Sequence, residues 1–129
     1  MRSNAVLGRY LCPTMPFRIK RIYDRPTRTD GYRVLVDRLW PRGIRKDDAR
    51  LNEWNKVLPP SNALRKDYHD GRLDFRTFSA AYRKELQDHP EELDRMHELA
   101  EGRTVTLLFA SSNAKENHAI VLLDVLQGK

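Results

Sequence analysis

The sequence predicts an α/β fold: one small domain with a mainly parallel sheet flanked by helices. Three observations predict it. A β-branched, apolar run from Tyr32 to Val36 ends at Asp37, and a second run, Thr104 to Phe109, is continuously apolar or β-forming, as in strands covered on both faces. The stretch between them is mostly helical in pattern. A helical crossover returns a chain to a parallel neighbour, so the carboxyl ends of these two strands should share one edge of the sheet.

Taken in order, residues 1 to 15 show neither helical nor alternating periodicity, and MPFRIKRIYD after them reads as a fresh start at Met15. They are expected as a poorly ordered N-terminal extension, with the single domain over 16 to 129. Phe17 to Tyr23 alternates as a first strand that exposes Arg18 and Lys20, and Asp24 to Gly31 is turn chemistry. Trp40-Pro41-Arg42-Gly43 stops the next strand: proline holds Trp40 extended and glycine permits a sharp bend, leaving an arginine-bearing loop. Leu51 to Leu58 fits either a short helix or an edge strand docked by its indole.

Ser61 is placed to cap a helix running through His69, with Leu64 and Tyr68 inward and Arg65 and His69 on another face. Asp74 caps a helix whose Phe75, Phe78, Tyr82 and Leu86 form a packing stripe. Pro90 at a helix start, Glu91 and Glu92 in its first turn and Gly102 beyond its end delimit the next helix, expected to form a hairpin with the one before. Asn113 with Glu116 three positions on resembles a capping box opening the final helix, whose Ile120, Val121, Leu122, Leu123 and Leu126 predict deep burial.

Composition narrows the function. The 129 residues are 40% hydrophobic, enough for one modest core. No apolar run approaches the roughly 20 residues a membrane-spanning helix needs. The start of the chain lacks the apolar segment and cleavage site of a signal peptide, and the lone Cys12 cannot form an intramolecular disulfide, so a cytoplasmic location is expected. Lys and Arg number 24 against 18 Asp and Glu, a formal charge of +6 that favours anionic partners. These cations are interspersed with acids, which weighs against a nucleic-acid stripe.

In open α/β sheets ligands bind beyond the carboxyl ends of the strands, which singles out the loops Asp37 to Gly43 and Ser111 to His118. The first brings Arg38 and Arg42, whose guanidinium groups grip phosphate or carboxylate through paired hydrogen bonds, or make structural ion pairs with Asp37. The second brings Ser111, Ser112, Asn113, Lys115 and Asn117 with the N–H groups of a helix start, a composition shared by anion sites and by ordinary capped helices. Trp40 and Trp54 are candidate pocket walls. Of the four histidines, His118 and His69 are candidates for acid–base work, since imidazole as a group changes charge near neutral pH; backbone-bonded structural histidines are the bland alternative. No histidine spacing matches a metal-ligand motif, and no GxSxG, P-loop or GxGxxG is present, so no metal is expected and no cofactor is indicated.

IKRIYD at 19 to 24, DGYRVLVDRLWPRG at 30 to 43, the Trp54 segment, the Pro60-Ser61 and Leu64-Arg65 pairs, Phe78, Tyr82 and TLLFASSNAKENHA at 106 to 119 resemble the YeaO-like family of uncharacterised bacterial proteins. The resemblance covers nearly all of Phe17 to Leu126. It implies a compact α/β domain of the bacterial cytoplasm and carries no established reaction. In a broader related group the loop after the last strand is similar but bears cysteines at the positions of Phe109 and Asn117. His118 is retained here without them, which puts thiolate chemistry out of reach.

The resulting expectation is a small anionic-ligand site, catalytic or binding only. Asp37 and His118 are its candidate catalytic residues, and Arg38, Trp40, Arg42, Trp54, Arg65, His69, Ser111, Ser112, Asn113, Lys115 and Asn117 its candidate ligand contacts. A nucleic-acid-binding module and a protein-interaction domain without catalysis are the alternatives; no membrane partner is expected, and oligomeric state is left open.

Overall fold

The computed structural model describes residues 16–129; the extension expected over residues 1 to 15, with Cys12, lies outside the described residues. Four strands form one parallel sheet. They are β1 (Phe17–Arg21), β2 (Tyr32–Leu35), β3 (Glu53–Trp54) and β4 (Val105–Phe109), in the spatial order β1-β4-β2-β3. The helices are α1 (Lys46–Ala49), α2 (Asn62–His69), α3 (Phe75–Leu86), α4 (Pro90–Leu99) and α5 (His118–Leu126). As the crossover argument requires, β2 and β4 are direct neighbours, with Tyr32 opposite Val105 and Leu35 opposite Leu108. The ambiguous Leu51 to Leu58 stretch resolves as an edge strand of two residues.

The two faces of the sheet are closed differently. Phe17, Val34, Val36, Val105, Leu107 and Phe109 pack with Leu64, Phe78, Tyr82, Leu86, Met96 and the buried side of α5. On the opposite face Leu35 and Leu108 meet Ile22 and Ala49 under Trp40, Ile44, Leu51 and Trp54. Loop and short helix, rather than long helices, cover that second face. Because side chains alternate along a strand, the all-buried β4 supplies both cores, which is why it reads as a continuous run.

Caps read from sequence are present: Ser61 Oγ accepts from Leu64 N–H, and Asp74 accepts from Thr77 N–H. Between the 3-10 turn Arg28–Asp30 and β2, Gly31 has φ +65°, and a Cβ there would strike the Thr104 carbonyl. Two expectations need correction. The α3 and α4 helices do not pair as a hairpin; α3 packs on α2 and α5, and α4 on α5, because the apolar stripe of each turns toward that most hydrophobic helix. Moreover, α5 begins at His118 and not after Asn113. Asn117 is its N-cap, its Oδ1 accepting from Ile120 N–H, while Asn113 Oδ1 accepts from Lys115 and Glu116 N–H in a separate turn. Both asparagines can cap, and the one directly before the apolar run Ala119, Val121, Leu122 opens the helix.

Candidate functional site

Parallel strands send every following loop to the same edge, so the segments after β1, β2, β3 and β4 surround one rim. There the two loops singled out from sequence touch directly. Asp37 Oδ2 accepts from Ala110 N–H at 2.9 Å, and His118 Nε2 lies 2.8 Å from Asp37 Oδ1 and 2.7 Å from Val36 O. The Val36 carbonyl can only accept, so Nε2 carries a hydrogen and donates. Strand end, loop and helix start are thereby fastened at one point.

Other candidates serve the same fastening. Arg38 reaches across to the loop after β3, donating from Nε to Pro60 O at 2.6 Å and from its two terminal nitrogens to Lys56 and Pro59 carbonyls, each at 3.2 Å. Its fork holds backbone. Trp54 Nε1 donates to Asp37 O, Trp40 Nε1 donates to Ile44 O, and the two rings meet edge to face at 5.2 Å. The indoles therefore brace the first loop, half-buried in the second core. Asn117 is buried with both ends of its amide engaged, Nδ2 donating to Asn113 O.

The backbone of the second loop is less free than a helix start would leave it. Asn113 N–H goes to Ser111 Oγ, and Lys115 N–H to Asn113 Oδ1. Ser112 and the Lys115 side chain remain exposed. Arg65 and His69 are exposed on α2, whereas Tyr68 between them ties that helix to the loop through its hydroxyl, donating to Glu116 O.

Two residues that the sequence reading passed over complete the junction. Arg21, at the end of β1, donates from Nε to Ser111 O at 3.0 Å and lies 4.9 Å from the centre of the Tyr23 ring. Tyr23 in turn donates its hydroxyl to Arg42 O at 2.8 Å. Arg21 and Tyr23 thus bridge the second loop to the first. Their signal was present as the strand-end IKRIYD, but the carbonyls they seek are distant in sequence. Neither Arg21 nor Arg42 has an ion-pair partner among the described residues.

Nearby, Tyr82 lies fully buried with its ring 6.5 Å from that of His118, its hydroxyl donating to Leu58 O. Burial pushes its phenol well above the ordinary range, so it stays protonated as a structural donor. A cleft of about 120 Å³ opens beside Arg38, lined also by Val57, Pro59, Ser61, Glu85 and His89. No cluster of three or more metal-ligating side chains occurs among the described residues, and no helix among them is long and apolar enough to cross a membrane.

The chain is 46% identical over 113 residues to the uncharacterized protein YeaO of Escherichia coli (strain K12), covering 88% of this chain and 98% of that protein. It is 40% identical over 112 residues to the uncharacterized proteins Rv3073c of Mycobacterium tuberculosis (strain H37Rv) and Mb3100c of Mycobacterium bovis, covering 87% of this chain and 94% of each. No solved structure gives a significant match. A family profile described as the inactive DUF488-N3 subclade matches residues 16–129, and the chain belongs to that family.

Proposed function

We propose that the chain is a non-catalytic cytosolic domain that binds a small anion, a phosphate or a carboxylate, at the carboxyl-end rim of its sheet. The observation that carries this reading is the pair Arg21 and Arg42, neither with an acidic partner among the described residues, with Tyr23 between the Arg21 guanidinium and the Arg42 backbone carbonyl. Guanidinium forks suit phosphate and carboxylate oxygens. The exposed Arg42 makes the first contact.

Three features favour binding without catalysis. His118 is engaged with Asp37 and Val36, the residue before it is the fully engaged Asn117, and the strand end is the core residue Phe109. The cleft of about 120 Å³ at Arg38 falls short of the roughly 300 Å³ at which small-molecule pockets begin. The description "inactive" of the matching subclade agrees with both. Asp37 and His118 then act as a clasp that holds the loops in register for binding.

Thermal denaturation in rising concentrations of inorganic phosphate tests the reading. A ligand that prefers the native state raises the melting temperature by mass action. The wild-type protein should show that rise and Arg42→Ala should lose it, while His118→Ala should start from a lower melting temperature. An unchanged rise in Arg42→Ala would remove the site from this rim.

A further inference from the structure

Resting on the anion reading of Arg42, we infer that the anion taken at this rim is the phosphate of a nucleotide unit, whose base stacks on Tyr23. The large hydrophobic side chains most exposed among the described residues are Tyr23 at 42%, Leu39 at 62% and Val57 at 44%. Single exposed apolar residues are ordinary on any protein surface. These three, however, follow β1, β2 and β3 within a few residues, and the parallel sheet delivers all of them to the edge that carries the unpaired arginines.

The setting of Tyr23 gives the ligand its shape. A surface tyrosine held for packing buries its ring and leaves the hydroxyl to water. Here the arrangement is reversed: the hydroxyl is engaged by Arg42 O, the Arg21 guanidinium covers one side of the ring, and the residue is still 42% exposed. The result is an aromatic face held at its hydroxyl by the Arg42 backbone. A flat π-system joined to an anionic group matches it, and stacking of bases on aromatic side chains next to arginine is how nucleotides are held without base-specific hydrogen bonds. A further cation flanks the rim, Lys56 over the Trp54 ring at 3.9 Å. It favours a phosphate-bearing ligand over a simple aromatic carboxylate.

Titrations of the full chain with inorganic phosphate, adenosine, adenosine monophosphate and a short single-stranded oligonucleotide, followed by NMR, test this. Adenosine monophosphate should bind at least about tenfold more tightly than inorganic phosphate, in line with the usual strength of base–aromatic stacking. The ring protons of Tyr23 should shift upfield as the base stacks. Tyr23→Leu, which keeps bulk without a stackable face, should erase the gain of adenosine monophosphate over inorganic phosphate. An oligonucleotide that binds more tightly still, with a steep salt dependence, assigns the unit to a strand; equal affinity assigns it to a free nucleotide, and both uphold the stacked unit. Equal binding of phosphate and adenosine monophosphate, or a gain that survives Tyr23→Leu, overturns the inference and leaves the anion site standing. Binding of neither overturns both.

Discussion

Asp30 and Asp37 bracket the same strand, one near each end of β2, and they are held by opposite chemistry. At the amino end Asp30 is buried between two permanent cations, Lys20 at 3.0 Å and the equally buried Arg33, and also accepts from the Thr27 N–H and hydroxyl. At the carboxyl end Asp37 is held by one backbone N–H and one histidine. At the amino end Lys20 and Arg33 are consumed in holding Asp30, with Arg33 also donating to the Ala49 and Arg50 carbonyls. At the carboxyl end a backbone N–H and an imidazole hold Asp37, and Arg21 and Arg42 have no acidic partner among the described residues.

The largest effect should come from breaking the amino-end cluster. Asp30→Ala leaves Arg33 buried without its counterion, and urea unfolding should show a loss of about 3 to 5 kcal/mol. Acid should do the same more gently. Burial alone would raise the Asp30 carboxyl, but hydrogen bonds from Thr27, Lys20 and Arg33 outweigh it and bring the pKa down from 3.8 to about 2. A depressed folded-state value stabilises the protein above the unfolded value, and that contribution disappears as pH falls through the folded one. The unfolding free energy from urea titration should therefore decline between about pH 4 and pH 2, by on the order of 1 to 2 kcal/mol, and Asp30→Asn should flatten that part of the profile.

Opening the carboxyl-end clasp should cost less. His118→Ala removes the donor shared by the partly exposed Asp37 and the carbonyl of the fully buried Val36, and should lower stability by about 1 to 3 kcal/mol in the same assay. Smallest of all is Arg42→Ala. Its side chain is exposed and unpaired, and Tyr23 bonds only its carbonyl, so stability should change by less than about 0.5 kcal/mol while phosphate stabilisation is lost. A large stability loss there would make Arg42 structural and blur the contrast between the two ends.

What was legible in the sequence was what local chemistry determines. Ser61, Asp74 and Pro90 mark helix starts because a cap acts within three residues of itself. The β2 and β4 runs announce a buried parallel pair, and from that pairing the meeting of Asp37 with His118 follows. Local signals mislead where two are equivalent: Asn113 and Asn117 are both caps, and only packing of the following residues decides between them. Nor can they fix where long side chains go. Arg38 was read as a ligand contact, yet its partners are carbonyls about twenty residues downstream, and Arg21 finds Ser111 some ninety residues away. β3, with two residues, is too short to show a period at all.

The central claim is that the carboxyl-end rim is the binding surface of this domain, and its most direct test is amide NMR of the isotopically labelled chain titrated with inorganic phosphate. The account predicts saturable shifts concentrated at residues 21 to 23, 39 to 43 and 110 to 113, absent in Arg42→Ala. Shifts gathered around Asp30 and Arg33 instead, or none anywhere at high phosphate, would contradict it.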